Sequence, residues 1–278
     1  MSGLEMLMLR YAGGQHNFTM SLNREGRLND IHVVTGASSG VGLALSRHLA
    51  GQGHHVLALA RRQSELEVLR AERPQQIDIL STDLGSEEGR RRVIEAVEGR
   101  FNVKSLVHSA AIATKGYLKD LSMADYRQLM AINVEAPLFL TQLLLPAMPM
   151  GARVLQLSSG SAHRTMEYNG LYSISKAALL MSFRAWNADF PKGEIIVGSA
   201  MPGVVEGPMQ DAARQGDYPA VQVFRDFQLQ GRLIRPERVA EFLYWLLFDT
   251  SDQDFSGQDW NIFDDSHHGN WLRGPLSG

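Results

Sequence analysis

From residue 30 onward, short apolar runs alternate with amphipathic stretches, and this alternation constrains the fold more than any other feature of the chain. Ile31–Thr35, Val56–Ala60, Ile77–Leu80, Val103–Val107, Val154–Leu157, Glu194–Ser199 and Asp259–Phe263 have strand length. Between them the spacing predicts helices: one from the turn after Thr35 to about Ala50, then Ser64–Arg73, a segment opened by Ser86, Ser122 to about Leu145, Leu171–Ala188 and Pro236–Phe248. Local chemistry agrees. Ser64–Arg73 stops ahead of Pro74, whose ring disfavours helical backbone before it. Ser86 is a capping residue, Gly89 is a weak spot in the helix it opens and Gly99 stands near that helix's end. Pro236 sits in a first turn, where its missing N–H costs nothing. Strands alternating with helices imply an α/β fold with a parallel sheet covered on both faces. Right-handed crossovers then give a single-domain, doubly wound sheet of about seven strands.

With 278 residues, 44% of them hydrophobic, the chain buries one ample core without staples. It has no cysteine, which excludes disulfides, thiolate metal sites and a cysteine nucleophile, and fits a reducing, cytoplasmic setting. The net charge of -3 gives no nucleic-acid surface. The one basic cluster, Arg90-Arg91-Arg92, is flanked by Glu87, Glu88 and Glu95 and reads as a solvated helix face. No run reads as the ~20 apolar residues of a membrane span. Residues 1–29 lack the basic start and apolar block of a secretory signal. They read as a flexible extension, with Met20 as an alternative start; residues 30–265 form the domain and 266–278 a tail. His267-His268 near Asp264 and Asp265 suggests either a metal site or a solvated or subunit-packing tail, and we expect no metal.

Parallel sheets bind ligands past the carboxyl ends of their strands. After the first strand comes Thr35-Gly36-Ala37-Ser38-Ser39-Gly40-Val41-Gly42, opening a helix. Glycines let backbone approach a pyrophosphate, and the helix N-terminus offers free N–H groups and partial positive charge. The second strand ends at Ala60 and is followed by Arg61-Arg62. A carboxylate there would hold the ribose hydroxyls of NAD; guanidinium groups instead suit a 2′-phosphate, so NADP(H) is expected, with Arg61, the first residue past the strand, favoured over Arg62. Asp83-Leu84, after the third strand, either meets an adenine amino group or caps a helix.

Tyr172 and Lys176 stand at i and i+4 and share one face of a predicted helix. A free phenol ionises near pH ~10, and a neighbouring ammonium is expected to lower that value. Ser159, just past the fifth strand, is placed to orient a carbonyl oxygen, or else makes an ordinary serine turn. Asn133, in a predicted helix interior that asparagine disfavours, is expected to bond backbone or hold water.

Together these residues resemble the short-chain dehydrogenase/reductase family over about residues 30 to 265, nearly the whole predicted domain. Thr35–Gly42 is similar to its T-G-x-x-x-G-x-G turn, which places Gly36, Ser38, Ser39, Gly40, Val41 and Gly42 against a Rossmann-bound cofactor. Asn133, Ser159, Tyr172 and Lys176 match its catalytic tetrad. The resemblance implies Tyr172 as general acid/base, Ser159 polarising the carbonyl, Lys176 lowering the tyrosine pKa and holding the ribose, and Asn133 supporting a water-linked relay. Pro202-Gly203 matches the turn after the sixth strand, Val205 falls where an amide meets the nicotinamide carboxamide, and Gly257-Gln258 matches the stretch before the last strand. Three departures stand out. His108-Ser109-Ala110-Ala111 replaces an N-N-A-G stretch, with Ala110 retained beside the cofactor and Ala111 expected to crowd it. Gly207 stands where a threonine is common. Phe263-Asp264-Asp265 replaces a terminal Asp-Gly-Gly. The pattern is somewhat similar to the sepiapterin- and benzil-reductase-like branch.

The reading that results is an NADPH-dependent carbonyl reductase acting on a small-molecule ketone or aldehyde, as a homodimer or homotetramer. A mobile lid near 206–231, with Met209, Tyr218, Val223, Phe224 and Phe227, suggests a hydrophobic substrate. His163 is either pocket-lining or a surface-loop residue. The same fold admits an alcohol dehydrogenase or acyl-thioester ketoreductase; a protein that senses NADP(H) without turnover is the alternative of another class.

Overall fold

The computed structural model describes residues 28–190 and 192–277; the expected extension and the alternative start at Met20 fall on residues 1–27, outside the described residues. In chain order the elements are β1 (Asn29–Thr35), α1 (Gly40–Gly51), β2 (Val56–Ala60), α2 (Gln63–Glu72), β3 (Ile77–Ser81), α3 (Glu87–Val97) and β4 (Phe101–His108). There follow α4 (Met123–Met130), α5 (Ala136–Leu144), β5 (Ala152–Leu157), α6 (Gly170–Asp189), β6 (Ile195–Met201), α7 (Pro208–Ala213), α8 (Val221–Leu229), α9 (Pro236–Phe248), α10 (Asp252–Gly257), β7 (Asp259–Asn261) and α11 (His268–Trp271). The sheet has seven strands in the order β3-β2-β1-β4-β5-β6-β7, and every paired ladder is parallel. The doubly wound sheet read from the alternation is the fold.

Strand periodicity of two divides the core. Along β1 and β2, Val34, Val56 and Ala58 meet Leu45, Leu49, Phe242 and Leu246 on one face. Ile31, Val33, Leu57 and Leu59 meet Val93, Val97, Leu140 and Leu144 on the other. All are essentially inaccessible to water, each large side chain contributing about 1.5–3 kcal/mol of transfer free energy.

Three expectations change. The helix predicted from Ser122 to Leu145 is α4 and α5 joined by a π-helical turn, Ala131–Glu135, with Asn133 buried within it. The 25-residue stretch Met123–Ala147, with an 18-residue window of mean hydropathy 1.4, meets the length and composition of a membrane span, a run the sequence reading passed over. Here it lies along the sheet, with Leu129, Leu140 and Leu144 fully buried. Arg90, read as solvated, is buried: it donates to the Leu84 carbonyl at 2.8 Å and lies over the Phe139 ring, while Arg91 pairs with Glu87 on the outer face. The tail docks on α9. His267 stacks on Phe242, accepts from Trp271 Nε1 at 2.9 Å and sets its Nε2 3.0 Å from the Asn261 carbonyl, so both ring nitrogens are used in packing.

Burial, then His54 and Lys104 nearby, pushes His32 down to about 3; burial alone does the same to His108, whose Nε2 lies 2.9 Å from Thr141 Oγ1. Both imidazoles are neutral when folded and take up a proton near pH ~6.5 when unfolded, so their contribution is complete above that pH and declines as pH falls toward about 3. The melting temperature is expected to drop steadily between pH 6.5 and 4, each histidine costing up to about 1.4 kcal/mol per pH unit. His108→Asn should flatten that slope in calorimetric scans; an unchanged slope would refute the assignment.

Candidate active site

The strand order reverses direction between β1 and β4, opening a crevice past their carboxyl ends. Thr35 closes its floor: its Oγ1 accepts from the backbone N–H groups of Ser109 at 3.0 Å and Ala110 at 2.9 Å. Gly36, with φ of 69°, lies so close to Ala110 that a Cβ would come within 2.9 Å of its Cα. A Cβ on Gly42 would stand 2.5 Å from the Gly36 carbonyl oxygen. These two glycines are therefore demanded by close backbone approach. Gly40 differs: it has φ of 52° and open space where its Cβ would be. Past Ser39 the twelve-residue α1 begins with no side-chain cap. An uncapped helix N-terminus at an open glycine turn, bordered by Ser38, Ser39 and Val41, offers N–H groups to an anion, so the residues fit a dinucleotide's pyrophosphate.

The two arginines part ways. Arg62 folds back over the turn and donates from its terminal nitrogen to the Ser38 carbonyl at 2.9 Å and to Ser38 Oγ at 3.0 Å. Arg61 is exposed, its carbonyl accepting from Ser81 Oγ. Asp83 makes a turn, with its Oδ1 accepting from Gly85 N and its carbonyl from Ser86 Oγ, while the Leu84 side chain is in the core. Beyond β6, Pro202 leads into Gly203 at φ of 78°, where a Cβ would strike Ile234. Val205 bridges to Ile234, and Gly207 follows, its Cβ position 3.8 Å from Gly40 Cα. The segment after β6 thus reaches back to the glycine turn. Ala111, expected to crowd this region, is half-buried.

Tyr172 and Lys176 project from the first turns of α6. Lys176 is buried, and its Nζ donates to the Leu157 carbonyl at 2.7 Å, 5.7 Å from the centre of the Tyr172 ring. Burial pushes the Tyr172 phenol up to about 12, against the smaller opposing pull of a hydrogen bond with Ser159. Burial pushes Lys176 down to about 8, with Asp259 pulling the other way. The expectation that the lysine lowers the tyrosine is thus reversed in the chain alone: desolvation of the phenol dominates, and the ammonium is directed at a backbone carbonyl. Ser159 Oγ also accepts from Ser161 N at 3.1 Å. Asn133 is fully engaged: Oδ1 accepts from Ile112 N at 2.9 Å, and Nδ2 donates to the Ile112 carbonyl at 2.9 Å and to Ser175 Oγ at 3.0 Å. Its amide fastens the loop after β4 to α6.

Sequence reasoning missed Asp259. This buried carboxylate accepts from Ser158 and Ser199, each at 2.7 Å, and from His163 at 2.8 Å. Its partners lie 101, 60 and 96 residues away in sequence, so no local pattern marks it. Over the crevice, Tyr218 stacks on Tyr168, and Lys115 lies 4.4 Å from the Phe224 ring centre while donating to Asn169 Oδ1 at 2.9 Å. A separate hollow of about 460 Å³ lies at the opposite, amino ends of the strands, lined by His32, His54 and Lys104.

The chain matches the short chain dehydrogenase family model over residues 30–217. It is 32% identical to the human mitochondrial dehydrogenase/reductase SDR family member 2 over 195 residues, 66% of this chain and 69% of that protein. It is 30% identical to the 3-beta-hydroxysteroid dehydrogenase of Comamonas testosteroni over 227 residues, 80% of this chain and 89% of that one. The crystal structure of the KRED1-Pglu enzyme superposes with a TM-score of 0.77 at 26% identity, over 84% of this chain and 100% of that one.

Asn133→Ala leaves the Ile112 N–H and carbonyl without their side-chain partners. It is expected to cost about 2–3 kcal/mol in urea unfolding, whereas Ser175→Ala, which removes one partly redundant acceptor, should cost about 1 kcal/mol or less. Equal losses would mean that the π-helical turn is not held by the Asn133–Ile112 pair.

Proposed function

Because the chain belongs to the short-chain dehydrogenase/reductase family of oxidoreductases, we propose that it reduces a ketone or aldehyde to an alcohol with NADPH, Tyr172 delivering the proton. The observation that carries the reading is the half-buried Tyr172 phenol beside the Ser159 hydroxyl, with the Lys176 ammonium anchored on Leu157. When bound, NADPH supplies the hydride; the chain's residues govern binding, alignment and the proton.

A phenol held at about 12 remains protonated at neutral pH and serves as the acid that quenches a nascent alkoxide. Ser159 orients the carbonyl oxygen toward it. Lys176, lowered to about 8 by burial, holds the nicotinamide ribose as an ammonium, and the proton that Tyr172 gives up is replaced from solvent. In the oxidation direction the phenolate that would act as base is scarcely populated at neutral pH. Asn133 keeps the loop beside the site in place; with its amide fully bonded, we assign it positioning and place any water relay at neighbouring backbone.

For the cofactor, Gly36, Ser38, Ser39, Gly40, Val41 and Gly42 take the pyrophosphate at the N-terminus of α1. Arg62, already laid over Ser38, is the better-placed partner for a 2′-phosphate, with Arg61 beside it, and this supports NADP(H). Asp83, Leu84 and Ala110 border the adenosine and ribose side, while Pro202, Gly203 and Val205 border the nicotinamide. The 206–231 segment acts as lid: Tyr218 and Phe224, with Met209, Val223 and Phe227, favour a hydrophobic substrate. Met123, Tyr126, Phe139, Ile174 and Met181 expose apolar surface along α4, α5 and α6, which supports a homodimer or homotetramer in the cytoplasm.

Tyr172→Phe is expected to lower kcat for carbonyl reduction by 10²–10⁴-fold with the NADPH affinity within a factor of about three; near-parent turnover would end the acid assignment. Arg62→Ala should weaken NADPH binding roughly tenfold or more and leave NADH unchanged, read by nucleotide fluorescence. Parallel losses for both nucleotides would remove the argument for a 2′-phosphate.

A further inference from the structure

A carboxylate sits in the sheet two strands from the catalytic turn. Asp259 opens β7, in register with Ser199 of β6. Its side chain is 7% exposed. One oxygen accepts two hydroxyl hydrogens, from Ser199 and from Ser158. The other lies 2.8 Å from His163 Nε2; because a carboxylate only accepts, that ring nitrogen carries the hydrogen. Ser158 is the residue between Leu157, whose carbonyl receives Lys176, and Ser159, whose hydroxyl meets Tyr172. A second bond holds the same residue, since Ser158 N donates to the Ala200 carbonyl at 2.9 Å. Asp259 therefore grips the short segment that presents both partners of the catalytic pair.

We propose that Asp259 is a positioning residue for the reaction: locked by His163, it braces Leu157–Ser159 and provides the buried negative charge that keeps Lys176 an ammonium. The charged and titratable groups facing Lys176 are Tyr172 on its own helix and Asp259 from β7, with His163 behind the carboxylate. Burial lowers the Lys176 pKa and the Asp259 charge raises it, which is the sign this role requires. A buried ammonium with only a backbone acceptor is costly, and a carboxylate held by three donors is a fixed counter-charge that needs no reorganisation. His163 is half-exposed, so its removal leaves the carboxylate open to water and weakens its field at Lys176.

The inference rests on the proposed function, in which Lys176 holds the cofactor ribose. The test is the pH dependence of NADPH binding to the full chain, followed by nucleotide fluorescence between pH 6 and 10. In the parent, affinity should fall as Lys176 loses its proton near pH 8. Asp259→Asn keeps an acceptor for both serines and removes the charge; the fall should move to lower pH by about one unit or more. His163→Ala, at a half-exposed side chain that does not endanger folding, should move it the same way by less. Where a carbonyl is turned over, the alkaline limb of kcat/KM should move with it, with activity regained at pH 6. A limb that stays at the parent position in whichever variant folds, even with a uniformly lower rate, overturns the proposal and leaves Asp259 purely structural. Failure of the parent to bind NADPH, or an active Tyr172→Phe chain, would instead strike the underlying reading.

Discussion

A buried ammonium must be met by oxygen, and much of this site follows from how Lys176 is met. Its Nζ reaches the carbonyl of Leu157, the last residue of β5, so one 2.7 Å bond ties the first turns of α6 to the carboxyl edge of the sheet. Because Tyr172 is one helical turn earlier, the same bond fixes where the phenol points. Because Ser158 and Ser159 follow Leu157 directly, it also fixes the distance between hydroxyl and phenol. The alternative, an unpaired charge at 4% exposure, costs several kcal/mol and would expel the side chain or strip its proton. The catalytic geometry is thus a consequence of satisfying one desolvated cation.

Desolvation also sets the protonation of the pair. In water the lysine would be the weaker acid of the pair or nearly equal to the tyrosine. Burial inverts this by moving the two groups oppositely, the phenol up to about 12 and the ammonium down to about 8. Neither shift needs the other residue; each is the penalty on a charged form in an apolar place. The site thus combines a neutral phenol with an ammonium whose proton is held less tightly than in water.

Legibility in the sequence followed the range of the interactions. The alternating sheet, the glycine turn and the Tyr172–Lys176 spacing are local patterns, and each was readable. The roles of Gly36 and Gly42 were readable in kind, though Gly42 makes room for the Gly36 carbonyl in the same turn and Gly36 for the Ala110 backbone after β4. Contacts that depend on side-chain direction were not. That Arg62 lies over Ser38 while Arg61 is exposed depends on which residue faces the turn as the strand ends. Arg90 looked solvated among glutamates until Leu84 and Phe139 were placed beside it. The π-helical turn at Asn133 adds a residue to a helix whose composition gives no sign of it. Asp259 is the extreme case, because a polar residue opening a short strand is unremarkable until three remote donors converge on it.

Tyr168 shows how the rim of the site bears its own strain. It is the one non-glycine among the described residues with positive φ, at 69°, a conformation costing a bulky side chain of order 1–3 kcal/mol. The compensation is visible around it. Its ring meets Tyr117 edge-on at 4.9 Å and stacks on Tyr218 at 5.4 Å, contacts worth about 0.5–1.5 kcal/mol each beyond burial. Its carbonyl accepts from Gly116 N at 3.0 Å, and the next residue, Asn169, takes the Lys115 ammonium that lies over Phe224. Tyr218 and Phe224 belong to the segment after β6, whereas Tyr117 and Lys115 belong to the loop after β4. The strained residue is therefore held from both sides, by the loop after β4 through Tyr117 and Gly116 and by the segment after β6 through Tyr218. The strain at Tyr168 is thus offset by contacts from two segments that are remote in sequence and converge on one ring.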